Sequence, residues 1–364
     1  PVKPSGRCVR AMMRESKRNK PSSAVRADTP DTATARPFAS LTPETLFAAL
    51  DGIGLHADGR LLALNSYENR VYQFYEDADA GAVARVVKFY RAGRWSDAAI
   101  REEHAYCREL AERELPVVAP LSISGETLFR HDDLRFAVYP RHPGRPPEFD
   151  YGRNLEWMGR FLGRMHAVGA LRRFVARPKL DVSSFGEAPL AFLRQGHFLP
   201  PELADVYFGV AAQALDGVRH CYARAGQLRD LRLHGDCHAG NVLWSEGDEG
   251  GPCFVDFDDA RQGPAVQDLW MLLSGPRAEQ ERQLAEVLDG YRAFYDFDPR
   301  ELHLIEALRT LRLIHYAGWL ARRWDDPAFP VAFPWFGTPR YWQDRILELR
   351  EQIALMDEAP LACA

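Results

Sequence analysis

The chain has 364 residues, which at about 100–200 residues per domain corresponds to two domains or one large bilobal unit. It contains 46 Lys and Arg against 51 Asp and Glu, a formal net charge of −5, which excludes a protein that coats nucleic acid through a wholly basic surface. No apolar run reaches the roughly 18–20 residues that span a bilayer, and the six cysteines have no CxxC spacing. These features predict a cytoplasmic protein with reduced thiols, and neither a membrane nor nucleic acid as its partner.

Residues 1–37 differ in composition from the rest of the chain. Residues 1–36 contain nine Lys or Arg and three acidic residues, together with many Ser, Thr and Pro. Because the segment has too few apolar residues to build a core, we predict a disordered basic tail. A transit peptide and an arm that binds polyanions are the alternatives.

Residues 38–139 have the pattern of a small α+β lobe. Thr42 is followed by Pro43 at the first helical position, which predicts a short amphipathic helix, and a second helix is predicted from about Ser96 to Glu112. Four runs with the composition of strands are found at 71–75, 84–90, 117–123 and 135–139. We therefore expect a small sheet accompanied by two helices.

Residues 140–147 are the predicted linker between two lobes, because prolines and a glycine crowd into this short stretch. Beyond it, residues 148–364 have mainly helical periodicity. Helices are predicted at 152–170, 201–225, 277–295, 300–323 and 340–356. The predicted architecture is thus a small β-rich N-lobe, a hinge and a larger helical C-lobe.

One polar stretch interrupts the helices of the C-lobe. It contains His-Gly-Asp-x4-Asn at 234–241 and Val-Asp-Phe-Asp-Asp at 255–259, on either side of a predicted hairpin. Phosphoryl transfer needs a carboxylate that accepts the proton of the attacking hydroxyl, and Asp236 has the residue type for this role. It also needs hard oxygen ligands for Mg²⁺, which Asn241 and Asp256 can supply. The two glycines at 235 and 240 allow the loop to curl so that these side chains face one site.

A nucleotide also needs a cation. Lys88 ends the run Val86-Val87-Lys88 in a predicted strand and resembles the strand lysine that pairs with the α- and β-phosphates in kinases. Such a lysine is held in place by a carboxylate from the next helix, where Glu102 and Glu103 are the candidates.

These motifs resemble the aminoglycoside phosphotransferase/choline kinase-like superfamily, whose members have a bilobal protein-kinase-like fold of the α+β class. A more extensive match begins at about residue 40 and is similar to the stress response kinase A family. It rests on Asn65-Ser66-Tyr67-Glu68-Asn69-Arg70, Val87-Lys88-Phe89-Tyr90-Arg91, Glu102-Glu103-His104 and Pro116-Val117-Val118-Ala119-Pro120. The resemblance implies a monomeric, cytoplasmic Ser/Thr protein kinase that uses ATP and Mg²⁺. It further implies a role in stress responses and in suppressing programmed cell death.

The resemblance also implies roles for individual residues. Asp236 is expected to be the catalytic base, while Asn241 and Asp256 hold Mg²⁺ at the catalytic centre. Glu103 is expected to fix Lys88. Further contacts to ATP are expected from Ser66 and from the hinge residues Tyr139 and Arg141.

Two departures from conventional protein kinases bear on mechanism. The turn at 65–69 contains no glycine, so backbone amides and the Ser66 hydroxyl have to reach the phosphates in place of a Gly-rich loop. Gly235 stands where many protein kinases have the arginine that senses phosphorylation of the activation loop, so we expect no such switch.

Other interpretations remain open for the acceptor and for several neighbouring residues. The alternative acceptor is a small alcohol such as an aminoglycoside, choline or homoserine, and a third hypothesis is a nucleotide-binding scaffold without catalysis. Asp268 is predicted to brace the catalytic loop, and Asp258 to contact metal, phosphate or the loop itself. The aromatic residues at 324–343 are predicted to pack in the core, with a substrate wall as the alternative.

Overall fold

The structure, a computed structural model, describes residues 37–77, 81–149, 153–246 and 250–362. All but the last residue of the predicted tail at 1–37 lies outside this part of the chain. The described residues form the bilobal α+β kinase fold that the sequence predicts. No helix among them is long and apolar enough to cross a membrane.

The N-lobe is built on a five-stranded antiparallel sheet with the strand order β1-β2-β3-β5-β4. The strands are β1 (Ala57–Leu64), β2 (Arg70–Glu76), β3 (Val83–Tyr90), β4 (Phe129–His131) and β5 (Leu134–Pro140). Helix α1 (Pro43–Asp51) begins at the Thr42 cap and packs Leu46 and Leu50 against Phe74 and Phe136 of the sheet. The opposite face of the sheet is covered by α2 (Asp97–Glu112), which begins at the Ser96 cap.

The N-lobe differs from the sequence prediction at three elements: residues 117–123, β1 and the three-residue β4, which was not predicted. Residues 117–123 are not a strand, because Pro116 and Pro120 lack the N–H groups that a ladder needs. This segment instead joins the lobes, where the Val118 amide donates to the Phe254 carbonyl at 3.0 Å. Strand β1 was not predicted because most of its side chains are exposed and its pairing with β2 is irregular after Ala57.

The C-lobe consists of helices around one large apolar core. They are α3 (Asn154–Gly169), α4 (Ala188–Gly196), α5 (Pro201–Ala225), α6 (Val266–Trp270), α7 (Arg277–Tyr291), α8 (Ile305–Ala321), α9 (Ala328–Ala332) and α10 (Pro339–Asp357). The sequence predicted the long helices but not the shorter α4, α6 and α9, and α8 is preceded by a separate 3-10 turn at Pro299–Leu304. Core side chains such as Met158, Leu162 and Leu284 are fully buried.

Two pairs of short strands lie where the C-lobe faces the N-lobe. Strand β6 (Leu231–Leu233) pairs with β9 (Arg261–Gly263), and β7 (Val242–Ser245) forms the predicted hairpin with β8 (Gly251–Phe254). The predicted linker runs past this hairpin, with Arg145 and Trp244 exchanging backbone hydrogen bonds of 3.1 and 2.7 Å. Gly144 is required there, because its φ is +144° and a Cβ would lie 2.9 Å from the Cβ of Leu243.

Candidate active site

The loop between β6 and β7 is held from below by Asp268. Its carboxylate accepts hydrogen bonds from the backbone amides of His234 and Gly235 at 2.9 and 2.8 Å, and lies 3.1 Å from His166 Nε2. The His234 ring adds a contact of 2.9 Å to the Val255 carbonyl. The structure thus confirms the predicted bracing role of Asp268. The side chains of Asp268, His166 and His234 are fully buried.

Gly235 is required by the geometry of this loop. Its φ is +85°, and a Cβ would lie only 2.2 Å from the carbonyl oxygen of Asp259. An arginine at this position, as in His-Arg-Asp kinases, therefore has no space here. The carbonyl belongs to the buried segment that follows Asp256, which forms a 3-10 turn at Phe257–Asp259 and then β9.

Asp236 lies at the end of the braced loop and faces α8. Its Oδ1 forms a salt bridge of 2.5 Å with Nη1 of Arg312, and its Oδ2 lies 3.5 Å from His238 Nε2. Burial acts to raise the pKa of Asp236, but the charge of Arg312 and the contact with His238 outweigh it and hold the pKa well below its usual range. Asp236 is thus a carboxylate at neutral pH, the form that accepts a proton.

Asn241 lies beside Asp236, and its carbonyl accepts a hydrogen bond of 3.0 Å from the amide of Val255, the residue before Asp256. The Nδ2 of Asn241 donates to the Asp236 carbonyl at 3.0 Å, so its amide oxygen is the group available to a metal ion. Asp256 adopts a left-handed backbone conformation with φ of 60°, and its side chain is 54% exposed. One amide oxygen and one accessible carboxylate fit Mg²⁺, which takes few protein ligands when phosphates complete its shell. The described residues contain no cluster of three or more His, Cys, Asp or Glu that could hold a metal alone.

Lys88 reaches this group from β3 of the N-lobe. Its Nζ lies 3.0 Å from Asp256 and 3.2 Å from Asp258, and its side chain is almost fully buried. Burial acts to lower the pKa of Lys88, but the two carboxylates raise it well above the usual value, so the ammonium keeps its charge. Lys88 of the N-lobe and Asp256 of the C-lobe therefore meet at the junction of the lobes.

Glu103 is buried in α2, but its direct partner differs from the prediction. Its carboxylate pairs with Arg177 at 2.6 Å, and Lys88 is held by Asp256 and Asp258 instead. Arg177 also donates to the Ala99 and Asp258 carbonyls at 2.8 and 2.6 Å. Burial raises the pKa of Glu103, and the charges of Lys88 and Arg177 oppose this. Glu103 thus joins α2 to the segment after Asp256, and it reaches Lys88 only through longer-range electrostatics.

Asp258, for which the sequence left three roles open, is part of a buried ionic cluster. Arg94 bridges Asp258 and Asp259, and Asn69 of the β1–β2 turn donates to Asp258 at 3.3 Å. Burial opposes ionisation of Asp258, but Arg94 and Lys88 outweigh it and lower its pKa to about 2. The structure places Asp258 in contact with Lys88 and with the turn that precedes β2.

A second buried cluster, which the sequence did not predict, attaches that turn to the C-lobe. Glu68 accepts a hydrogen bond of 2.7 Å from Trp319 Nε1 and pairs with Arg323 at 2.5 Å. Arg91, just after β3, pairs with Glu68 at 3.2 Å and with Asp326 at 2.7 Å. The turn at 65–69 is thus attached to the C-lobe by ion pairs and a hydrogen bond among Glu68, Arg91, Trp319, Arg323 and Asp326. Ser66 lies in this turn and is partly exposed.

The predicted hinge contacts occupy two environments. The hydroxyl of Tyr139 points into the N-lobe, where it lies 2.8 Å from that of Tyr90. Tyr139 pairs with Val86 in the sheet, and the predicted contact of its backbone with adenine stays a prediction. Arg141 is exposed and lies outside regular secondary structure.

Two further observations concern side chains around the site. Phe329, Phe333, Phe336 and Trp342 are buried, which confirms that this aromatic segment packs mainly in the core. Cys237 is also buried, and burial raises the pKa of its thiol well above the usual value.

Comparison with known proteins defines the class to which this fold and site belong. The family described as "Phosphotransferase enzyme family" matches residues 60–305, a range that includes Lys88, Asp236, Asn241 and Asp256. The protein is therefore a phosphotransferase.

Relatives identify the family within that class. Stress response kinase A of Salmonella choleraesuis is 44% identical over 324 residues, which cover 89% of this chain and 96% of the relative. Stress response kinase A of Escherichia coli K12 is 43% identical with the same coverage, and a Salmonella typhimurium relative at 44% identity is named serine/threonine protein kinase RdoA. The chain belongs to the stress response kinase A family.

Solved structures confirm the fold. An amicoumacin kinase, solved with AMP-PNP, Ca²⁺ and amicoumacin, has a TM-score of 0.66 at 20% identity and covers 87% of this chain and 94% of its own. A microcompartment-associated aminopropanol kinase has a TM-score of 0.63 at 16% identity and covers 86% of this chain and 96% of its own. At these identities the likeness concerns the fold alone.

Proposed function

We propose that this kinase transfers the γ-phosphoryl group of ATP to Ser or Thr hydroxyl groups of protein acceptors and depends on Mg²⁺. The observation that carries the proposal is that Lys88 contacts Asp256 at the lobe junction, while Asn241 contacts Asp236 and accepts a hydrogen bond from the amide of Val255, next to Asp256. They include a buried ammonium, oxygen donors suited to a hard cation, and a carboxylate kept ionised.

The transfer step assigns a task to Asp236. The acceptor oxygen forms a bond to the γ-phosphorus while the bond to the β,γ-bridging oxygen breaks, and ADP carries away that electron pair. Asp236 takes the proton of the attacking hydroxyl, a contribution of about 10²–10⁴-fold for a positioned general base. Asn241 and Asp256 would hold Mg²⁺, which neutralises phosphate charge when bound.

Nucleotide binding rearranges the contacts of Lys88. Its ammonium is paired with Asp256 and Asp258, and phosphate oxygens compete with these carboxylates for it. Asp256, with its accessible side chain, then becomes available to the cation. We expect Ser66 and the turn backbone to lie over the phosphates, and the backbone at Tyr139 to Arg141 to bind adenine.

The choice of a protein acceptor rests on the relatives. One of them is named a serine/threonine protein kinase, and the chain spans nearly its whole length. We extend the proposal to a monomer that acts in the cytoplasm during stress responses and suppresses programmed cell death. Phosphorylation of a small alcohol is the alternative that the experiment has to separate.

The test is transfer of labelled γ-phosphate from Mg-ATP to the protein itself and to a generic basic protein. Asp236→Asn keeps the shape of the side chain but removes the base, and should reduce transfer by about 10²–10⁴-fold with little change in ATP affinity. Asp205→Ala, an exposed carboxylate on α5, is the matched control and should leave transfer unchanged.

Label on Ser or Thr that is lost only in the Asp236 variant supports the proposal. Turnover of ATP that begins only when a small alcohol is added contradicts it. Tight nucleotide binding without any phosphoryl transfer would identify a scaffold instead.

A further inference from the structure

Arg312 is the cation of α8 that faces the catalytic loop. Its guanidinium pairs with Asp236, and its side chain is 42% exposed, whereas those of Arg94, Arg177 and Arg261 are 12%, 0% and 4% exposed. Within the described ranges, Asp236 is its one ion-pair partner. A guanidinium has five donors in a planar fork, so Arg312 has capacity for a second acidic group on its exposed side.

The contact with Arg312 restricts how an acceptor can reach Asp236. Arg312 occupies Oδ1, while Oδ2 lies 3.4 Å from Asn241 Nδ2 and 3.5 Å from His238 Nε2. Asn241 is also tied to the Asp236 backbone, and His238 to the amide of Gly240 at 2.9 Å. The exposed arginine is therefore the partner that an incoming hydroxyl displaces most readily.

Other charges near this position already have partners. Asp259 is held by Arg94 and Arg261 at 2.9 and 2.6 Å, and His315 stacks on Phe185 with ring centroids 4.1 Å apart. Tyr316, one helical turn after Arg312, stacks on Trp319 and adds no charge at neutral pH. Arg312 is thus the charged group of α8 that an acceptor meets beside Asp236.

We propose that Arg312 is a specificity-determining residue that binds a carboxylate of the acceptor segment close to the hydroxyl that is phosphorylated. The acceptor carboxylate takes over the guanidinium and so frees Asp236 Oδ1 for the hydroxyl proton. In an extended segment, residues two apart lie on the same face about 7 Å from each other. An Asp or Glu two residues from the acceptor Ser therefore has the right reach. The inference rests on the proposed protein-kinase function and names its acceptor class.

The experiment measures kcat/KM for three Ser peptides that differ only two residues before and after the Ser, where they carry Glu, Gln or Lys. Wild type should prefer the Glu peptide over the Gln peptide by at least about tenfold, since hydrogen bonds between ionised groups are stronger than those to a neutral amide. In Arg312→Gln this ratio should fall to about one, and Arg312→Lys should retain part of it. Arg322→Gln, an arginine that caps the far end of α8 over Phe192, is the matched control and should keep the wild-type ratio.

The ratio of two peptides is independent of how much active protein each variant contains, so partial misfolding does not imitate the expected result. Equal use of the Glu and Gln peptides by wild type, or a preference that survives in Arg312→Gln, overturns the inference. If kcat/KM in Arg312→Gln falls equally for all peptides and the preference for Glu is unchanged, Arg312 acts on Asp236 or on the phosphoryl group and not on the acceptor. That result also overturns the inference. If wild type labels no peptide or protein but phosphorylates a small alcohol, the proposed function itself fails.

Discussion

The buried pair of Glu103 and Arg177 gives a direct measure of what the carboxylate of α2 does. Both side chains are almost inaccessible to solvent, at 3% and 0%. Arg177→Met removes the guanidinium and leaves Glu103 as a buried charge without its direct partner, and the Ala99 and Asp258 carbonyls lose a donor. Loss of one member of a buried ion pair destabilises a protein by about 3–5 kcal/mol. We expect a decrease of this size in the free energy of unfolding.

The assay is urea unfolding followed by tryptophan fluorescence for Arg177→Met, Glu103→Leu and the double variant. Because the double variant removes both charges and replaces them with apolar groups, it should be much more stable than the sum of the single effects predicts. Glu112→Gln, at the exposed end of the same helix, is the control and should stay within about 0.5 kcal/mol of wild type.

The same variants separate a structural role from a role in nucleotide binding. If Glu103 acts mainly through Arg177, Glu103→Gln should alter the KM for ATP much less than a change at Lys88. An unchanged free energy of unfolding in Arg177→Met, together with an ATP KM in Glu103→Gln raised as much as in a Lys88 variant, would refute the reasoning. Glu103 would then serve Lys88, as the family resemblance implies.

Three further predictions follow from the described contacts. Lys88→Met should raise the KM for ATP at least about tenfold, since hydrogen bonds between ions contribute roughly 1.5–3 kcal/mol; an unchanged KM contradicts the assignment. Native Cys237 should react with iodoacetamide much more slowly than a free thiol, because burial raises its pKa; labelling at the free-thiol rate contradicts this. Burial raises the pKa of Glu301 to about 8 from 4.5, so between these pH values the folded protein keeps a proton that the unfolded chain releases. The free energy of unfolding should therefore decrease as the pH rises from 4.5 to 8. In Glu301→Gln the midpoint of urea unfolding should depend less on pH than in wild type. An unchanged dependence on pH contradicts the assignment of this effect to Glu301.

Most of the site that the sequence predicted is local in the chain, and Lys88 in β3 is the exception. Asp236, Asn241 and Asp256 flank a single hairpin and its neighbouring strand, so turn residues and short apolar runs are enough to bring them together. Helix starts were also visible, because Thr42 and Ser96 each cap a helix through their own side chain. Such capping signals involve residues only a few positions apart, so they can be recognised in the sequence without knowledge of the tertiary structure.

The contacts that the sequence did not predict join residues far apart in the chain. Glu103 and Arg177 are 74 residues apart, Asp236 and Arg312 are 76 apart, and Glu68 and Trp319 are 251 apart. No periodicity or turn signal links such pairs, since charged residues on a helix most often face solvent. The prediction of a strand at 117–123 was wrong for a local reason. The apolar composition of the segment is typical of a strand, but its prolines cannot donate the hydrogen bonds that a strand needs.

The segment between Asp256 and Asp268 has a consequence for how the enzyme is controlled. It is buried over nearly its whole length, and residues 257–267 contain no Ser, Thr or Tyr. This segment therefore has no hydroxyl group that could be phosphorylated, and Gly235 takes the place of the arginine that would bind such a phosphate. The catalytic loop and the segment after Asp256 are held instead by side chains of the fold itself, through Asp268 and Arg177.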